Sequence, residues 1–141
     1  MRRQLTLFLP PEHHVTLCRD DELVPWQAVI QRLASLGTFS ITMEFGEPQV
    51  LPDGCVLLRP IRGAEQYQHL RQSILGPSAS VHGAHITLLH PRNAAGVAYD
   101  LAAIAAGLAG LRTTLRTVSL IEQDGSDPWL VRRSYGAASM P

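Results

Sequence analysis

Two short segments of the chain carry the same polar pair at the same spacing. Residues 14–17 read His-Val-Thr-Leu and residues 85–88 read His-Ile-Thr-Leu, and the two histidines are 71 residues apart (85 − 14 = 71). An unperturbed histidine titrates at about pH 6.5, so a neutral and a protonated imidazole can serve together as base and acid on a phosphodiester. Threonine hydroxyls can donate hydrogen bonds to the non-bridging phosphate oxygens. These residue types therefore suit phosphoester cleavage without a metal ion.

The spacing also indicates which way the side chains face. In a β-strand, alternate residues point to the same side, so the histidine and threonine of each H-x-T motif share one face while the two aliphatic residues point to the core. If the two segments are related by a pseudo-twofold axis, both polar pairs converge on one cleft. Two imidazoles and two hydroxyls around a pocket suit a phosphate group.

Hydrophobic periodicity and turn residues predict the elements that position the motifs. The expected strands are 5–9, one beginning at His14, 39–45, one leading into a turn at 52–54, 55–59, 84–90, 114–122 and 129–135, and the expected helices are 25–36, 67–75 and 101–111. The stretch 14–59 reads strand, helix, strand, strand, and the stretch 85–135 repeats that order. The chain is therefore interpreted as an internal duplication, with one motif opening each half.

Two H-x-T motifs that open two half-domains resemble the two-histidine (2H) phosphoesterase superfamily, which includes 2′-5′ RNA ligase-like proteins and cyclic nucleotide phosphodiesterases. The resemblance covers nearly the whole chain, including the segments 39–45, 54–60, 85–93 and 117–123, with Trp129 after the last. It implies that His14 and His85 are the catalytic acid–base pair. It also implies that Thr16 and Thr87 bind the phosphate.

The fold expected from this resemblance is α+β. We predict one domain, 1–141, with two pseudo-twofold related β-sheet lobes around 14–60 and 85–136, helices on the outer faces and a central cleft. Only residues 10–13 separate the first strand from His14, where members of the family usually have a helix. A parallel crossover needs roughly a dozen residues or more, so the strand 5–9 cannot reach a parallel neighbour position by this route. The first lobe is therefore expected to be shortened.

Other side chains are candidates for substrate contacts. Arg92 follows the second motif in a loop from which it can reach a phosphate, although loop arginines are often simply solvated. Arg59 and Arg62 are further candidates for such contacts. Trp129 and Tyr135 can stack a nucleobase, or they can pack in the core or a hairpin.

Composition limits the kinds of partner. The formal net charge is zero, from 12 basic and 12 acidic residues, so we expect no surface for long nucleic acids. All the basic residues are arginines, which removes Schiff-base chemistry and a P-loop. The six histidines form no compact set of three or four ligands, and neither a metal nor a cofactor is predicted. Cys18 and Cys55 lie in apolar segments, which favours buried reduced thiols and indicates the cytoplasm. The longest apolar stretch, 101–111, is too short for a membrane span, so we expect a soluble protein.

Two functions remain open at this point. The first is a metal-independent phosphodiesterase acting on a 2′,3′-cyclic phosphate or a 2′-5′ linkage in a nucleotide or RNA end, working in either the hydrolase or the ligase direction. The second is a binding module of the same fold that has weak or no turnover, suggested by the shortened first lobe. In both, the partner is a small nucleotide or an RNA terminus. The sequence leaves the oligomeric state open, a dimer included.

Overall fold

The computed structural model describes residues 1–9, 13–89 and 110–136. The elements are β1 (Arg2–Leu9), β2 (His13–Cys18), a 3-10 helix (Asp20–Glu22), α1 (Trp26–Ala34), β3 (Ile41–Phe45), β4 (Gln49–Val50), β5 (Val56–Leu58), β6 (Pro60–Arg62), α2 (Ala64–Leu75), β7 (Ile86–Leu89), β8 (Arg112–Leu115), β9 (Thr117–Gln123) and β10 (Leu130–Gly136). The predicted helix 101–111 lies largely outside the described residues. No helix in the described ranges is both long enough and apolar enough to cross a membrane.

The strands form two antiparallel sheets, which confirms the predicted α+β class. The larger sheet has seven strands in the order β10-β9-β1-β2-β7-β5-β4, and the smaller has the order β6-β3-β8. β1 pairs antiparallel with β2, as the short connection 10–13 requires. The strands of the two H-x-T motifs, β2 and β7, are neighbours inside the large sheet.

The two sides of the large sheet are interleaved along the chain. β2 is flanked by β1, which pairs in turn with β9, whereas β7 is flanked by β5 and β4. The strands therefore do not group as 14–60 and 85–136, because pairing follows spatial register and not sequence order. The expected strand 114–122 is also wrong as one element: the chain changes sheets at Arg116, with β8 in the small sheet and β9 in the large one. One domain over 1–141 stays a prediction.

A matching β-bulge in each half supports the pseudo-twofold relationship. Between β1 and β2, Leu5 pairs with Cys18 and Thr6 pairs with Thr16, which leaves Leu17 without a partner. Between β5 and β7, Val56 pairs with Leu89 and Leu57 pairs with Thr87, which leaves Leu88 without a partner. Each strand thus carries one extra residue directly after the threonine of its motif. A bulge bends its strand and increases the local twist, so both motifs sit at equivalent bends.

The core lies on the face of the large sheet opposite the motif side chains. There the sheet packs against α1, α2 and β3, whose inward side chains recur at the spacing of their own element. The predicted strand 39–45 is shorter in the structure, yet its alternation is confirmed because Ile41, Met43 and Phe45 are buried while Thr42 and Glu44 are only partly so. The sheet contributes Leu5, Leu7, Leu9, Val15, Leu17, Ile86, Val118 and Leu120 to this core.

The start of α2 depends on one glycine. Gly63 precedes the helix with φ of +93°, a left-handed conformation that glycine adopts without a steric penalty. A Cβ at this position would collide with the backbone oxygen of Thr42. The close approach of α2 to β3 therefore requires the absence of a side chain here.

A charged pair is buried between α2 and the 3-10 helix. The Arg71 side chain is fully buried, and its Nη1 and Nη2 atoms donate to the two carboxylate oxygens of Glu22 at 3.0 Å and 2.6 Å. Burial alone would raise the pKa of Glu22, but the hydrogen bonds from Arg71 and the Arg19 backbone, with the charges of both arginines, lower it to about 2. The pair therefore stays ionised over the usual pH range.

The lowered pKa of Glu22 makes this part of the stability dependent on pH. A carboxyl whose folded pKa lies below its ordinary value stabilises the fold fully above that value, and the contribution is lost as pH falls. We expect the difference in Tm between wild type and Glu22→Gln to be constant at neutral pH. It should shrink as pH falls from 4.5 toward about 2. Thermal denaturation across this range, with the exposed Glu65→Gln as control, checks it; a difference that is independent of pH contradicts it.

Candidate active site

One backbone contact brings the two H-x-T motifs face to face. Val15 of β2 and Ile86 of β7, the middle residues of the motifs, form an antiparallel pair. In that register His14 lies opposite Thr87, and Thr16 lies opposite His85. Because both middle residues are fully buried on the core side, His14, Thr16 and Thr87 line a cavity on the other side of the sheet, and the charge of His85, one residue before β7, acts on His14. The sequence motifs are thus assembled into one constellation.

The two histidines occupy diagonal positions of this arrangement. Diagonal neighbours across an antiparallel pair are roughly 7–8 Å apart at Cα, which leaves room for one phosphate group between the imidazoles. A cavity of about 640 Å³ opens beside them, and the polar part of its wall is formed by Gln4, Thr6, His14, Thr16 and Thr87. His85 is not among the residues that line it. The pocket therefore brings together three of the four motif side chains.

His85 is oriented by the backbone immediately before it. Its Nδ1 atom is 3.2 Å from the carbonyl oxygen of Gly83. A carbonyl oxygen can only accept, so Nδ1 carries the hydrogen in this contact. The tautomer leaves Nε2 as the ring nitrogen available for proton exchange with a substrate.

The surroundings of His14 favour its neutral form. Partial burial lowers the pKa of His14, and the positive charges of His85 and His13 lower it further. The Phe8 ring lies 6.3 Å from the His14 ring and is one of the groups that shield it, although part of the His14 surface stays exposed. A neutral imidazole at neutral pH is suited to accept a proton.

Gln4 is a residue of the site that sequence reasoning missed. Its Nε2 donates to the hydroxyl oxygens of Thr6 at 2.8 Å and Thr16 at 3.1 Å. An amide nitrogen only donates, so each hydroxyl accepts here and keeps its own proton free for another acceptor. Gln4 thereby turns the Thr16 hydroxyl into a donor for an anion. The available signal was the position of Gln4 two residues before Thr6. The two polar side chains share one face of β1, whereas the leucines of this strand share the other.

The cavity has an aromatic side as well. Trp129 lines it beside Ile121 and Val131, and the Arg2 guanidinium lies 5.3 Å from the centre of the Trp129 ring. Tyr135, the other aromatic candidate, packs against the core instead. Trp129 is therefore the aromatic candidate that the structure brings to the site.

The arginine candidates have different outcomes. Arg92 lies outside the described residues. Arg59 is exposed and donates to Gln49 at 3.3 Å. Arg62 lies 3.4 Å from Glu44 beside a separate cavity, so it does not reach the cleft. In the ranges that the structure covers, His, Cys, Asp and Glu side chains form no group of three that could hold a metal ion.

The proximity of the two imidazoles can be measured without a substrate. Since the His85 charge lowers the pKa of His14, we expect His85→Ala to raise the His14 pKa toward its ordinary value. His13→Ala should raise it by less, and His69→Ala, at an exposed position on α2, should leave it unchanged. NMR titration of the ring protons reports each value. A His14 pKa that is unchanged in His85→Ala would mean that the two rings are not neighbours.

Similar proteins are found by structure and not by sequence. No family model matches the chain, and no curated protein matches it. E. coli LigT complexed with phosphate is 13% identical with a TM-score of 0.61, over 98% of both chains. LigT complexed with 3′-AMP is 15% identical with a TM-score of 0.58, over 98% of both chains. A protein described as a phosphoesterase is 15% identical with a TM-score of 0.58, over 98% of this chain and 99% of its own. The chain therefore has a LigT-like fold over nearly its whole length, in agreement with the predicted α+β fold.

Proposed function

We propose that the chain is a phosphodiesterase whose two motif histidines act on a 2′,3′-cyclic phosphate or a 2′-5′ linkage in a nucleotide or RNA end. The LigT-like fold supports a function of the phosphoesterase or RNA ligase type. The observation that carries the finer proposal is the pairing of Val15 with Ile86, since it sets each histidine opposite the threonine of the other motif. In this arrangement an acid or base and a hydrogen-bond donor would lie on each side of a bound phosphate.

The surroundings of the histidines favour different roles for them. In hydrolysis, neutral His14 takes a proton from water while the water oxygen forms a bond to phosphorus. The bond from phosphorus to the ribose oxygen breaks, and His85 delivers a proton from Nε2 to that leaving oxygen. Thr16 and Thr87 donate to the non-bridging oxygens, whose negative charge grows in the transition state. Ligation would use the same step with the 5′-hydroxyl of a second RNA end in place of water: His14 takes its proton as its oxygen bonds to phosphorus, and His85 protonates the ribose oxygen that leaves.

The aromatic wall supports a nucleotide as the substrate. A nucleobase stacks well on an exposed indole, and Trp129 lies on the same cavity as His14 and Thr16. LigT is described in complexes with 3′-AMP, NADP+ and ATP, which are all nucleotides. We therefore extend the proposal to substrates that carry a base next to the reacting phosphate.

The cysteines support a cytoplasmic location as part of the proposal. Cys18 and Cys55 are both free and buried, and burial raises the pKa of Cys18 to about 12. Inert, reduced thiols of this kind are usual in a reducing compartment.

The proposed mechanism is tested by hydrolysis of a panel of 2′,3′-cyclic mononucleotides in excess EDTA. Losing a general acid or base costs roughly a hundredfold or more in rate, so His14→Ala and His85→Ala should each abolish most of the turnover. His69→Ala is the matched control, because this exposed histidine lies on α2 away from the cleft. We also expect a bell-shaped dependence of kcat/KM on pH, with two limbs from the two histidines.

The alternatives predict other outcomes of this experiment. Turnover that survives His14→Ala would mean that the first motif does not act as the base. Absence of turnover in the wild type, together with binding of a nonhydrolysable cyclic-phosphate analogue, would favour the binding module. Turnover that EDTA removes would contradict the proposed mechanism.

The role of the indole is tested separately. Stacking on an aromatic ring contributes roughly 1–3 kcal/mol per base, so Trp129→Ala should raise KM for a cyclic nucleotide roughly five- to a hundredfold. Trp129→Phe should keep most of the affinity. Ribose 2′,3′-cyclic phosphate without a base should be hydrolysed equally by wild type and Trp129→Ala. A loss of equal size on both substrates would contradict stacking.

A further inference from the structure

Helix α2 reaches the strand of the first motif through two side chains. The Tyr67 hydroxyl donates to the backbone oxygen of Thr16 at 2.6 Å, and Arg71 Nη1 donates to the backbone oxygen of Leu17 at 2.6 Å. Leu17 is the bulged residue, which has no partner on β1. A buried carbonyl without a strand partner needs another donor, and Arg71 supplies it. The backbone that carries Thr16 is therefore held by hydrogen bonds from two side chains of α2.

The same helix also holds the loop that leads to the second motif. Arg71 Nη2 donates to the backbone oxygen of Ser80 at 2.9 Å, and Gln68 Nε2 lies 3.2 Å and 3.3 Å from the oxygens of Ala79 and Ser80. Ser80 precedes His85 by five residues, with no strand or helix between them. One guanidinium thus contacts the backbone next to both motifs.

The geometry of Arg71 makes this contact rigid. All four of its terminal N–H groups are used, two on Glu22 and one each on Leu17 and Ser80. A guanidinium is planar, and the bidentate pair with Glu22 fixes its orientation. The two carbonyl oxygens are therefore held at a set separation. A lysine carries the same charge but lacks the planar, paired N–H groups of the guanidinium.

The large sheet joins the two motif strands to each other at one point. β1 pairs with β2 over five residue pairs and β5 pairs with β7 over three, whereas β2 and β7 share the single pair Val15 and Ile86. That pair sets the register, but it constrains the distance and twist between the residues on either side of it less than a longer ladder would. A second connection strengthens the constraint on the distance between His14 and His85.

We propose that Arg71, oriented by Glu22, is a positioning residue that holds the two H-x-T motifs at the separation their chemistry needs. Its effect on turnover rests on the proposed function. Its effect on the distance between the imidazoles does not. The Arg71 side chain is fully buried, so it acts through the backbone oxygens of Leu17 and Ser80 that it contacts.

The informative substitution is Arg71→Lys, which keeps the charge and removes the paired N–H groups. A small displacement of catalytic groups costs as much as roughly a hundredfold in rate, so we expect kcat to fall roughly ten- to a hundredfold with KM little changed. The positive charges of His85 and His13 both lower the pKa of His14, and only the effect of His85 depends on the contacts that Arg71 makes. If the motifs separate, that repulsion weakens and the His14 pKa should rise, which moves the corresponding limb of the pH profile upward.

Matched variants distinguish positioning from a loss of stability. Arg32→Lys is the control, because Arg32 also donates to a backbone oxygen of α2, that of Ile74 at 3.4 Å, at the end of the helix away from the cleft. It should leave kcat and the His14 pKa unchanged. If Arg71→Lys does not fold, Tyr67→Phe removes only the hydrogen bond to Thr16 and should lower kcat severalfold. All variants are assayed well below their own Tm, so that the folded fraction is constant.

The outcomes are decisive in either direction. A folded Arg71→Lys variant with wild-type kcat and an unchanged His14 pKa would overturn the proposal, and so would an equal fall in kcat for Arg32→Lys. If the wild type has no turnover, the proposed function fails. The NMR titration of His14 still tests whether Arg71 sets the distance between the two motifs. A raised His14 pKa in Arg71→Lys with no change in Arg32→Lys would then support it.

Discussion

The site depends on one antiparallel pairing, between the middle residues of two H-x-T motifs. When Val15 and Ile86 pair, the period of two along each strand sends both histidines and both threonines to one face. A shift of one residue in either strand would turn that strand's polar pair into the core. Both middle residues are fully buried, so such a shift would also expose aliphatic surface to water. Hydrophobic burial therefore selects the register on which the chemistry depends.

Buried polar groups add directional constraints that hydrophobic burial does not supply. Hydrophobic packing is non-directional, so it fixes which face is buried better than it fixes a distance between two strands. The hydrogen bonds of Tyr67 and Arg71 are directional and end on the backbone oxygens of Thr16 and Leu17, while the Glu22 carboxylate orients the Arg71 guanidinium. A buried ion pair is seldom the most stabilising choice for a core. Its presence beside the strands of the two motifs is better explained by the geometry that it sets.

The sequence predicted the local elements well because each one is specified by its own residues. The alternation from Phe39 to Phe45, the helix ended by Gly76 and the repeated motif depend on neighbours a few positions apart. Pairing between distant strands is different, since many partners satisfy the same pattern. The change of sheet at Arg116 and the placement of β9 beside β1 could not be predicted for that reason. The roles of Gln4 and Arg71 were missed because both need partners that are distant in the sequence.

A symmetric backbone also needs an asymmetric environment to perform acid–base chemistry. Two equivalent imidazoles facing each other would share one proton, and neither would be preferentially neutral. The bulges align Leu5 with Val56, so the position equivalent to Gln4 is Cys55. One half therefore has an amide that donates to its threonine, and the other has a buried cysteine at the equivalent position. His14 lies beside Phe8, whereas His85 is anchored to a backbone carbonyl. In the proposed mechanism, these differences between the halves, and not the repeated motif, would allow one histidine to begin as base and the other as acid.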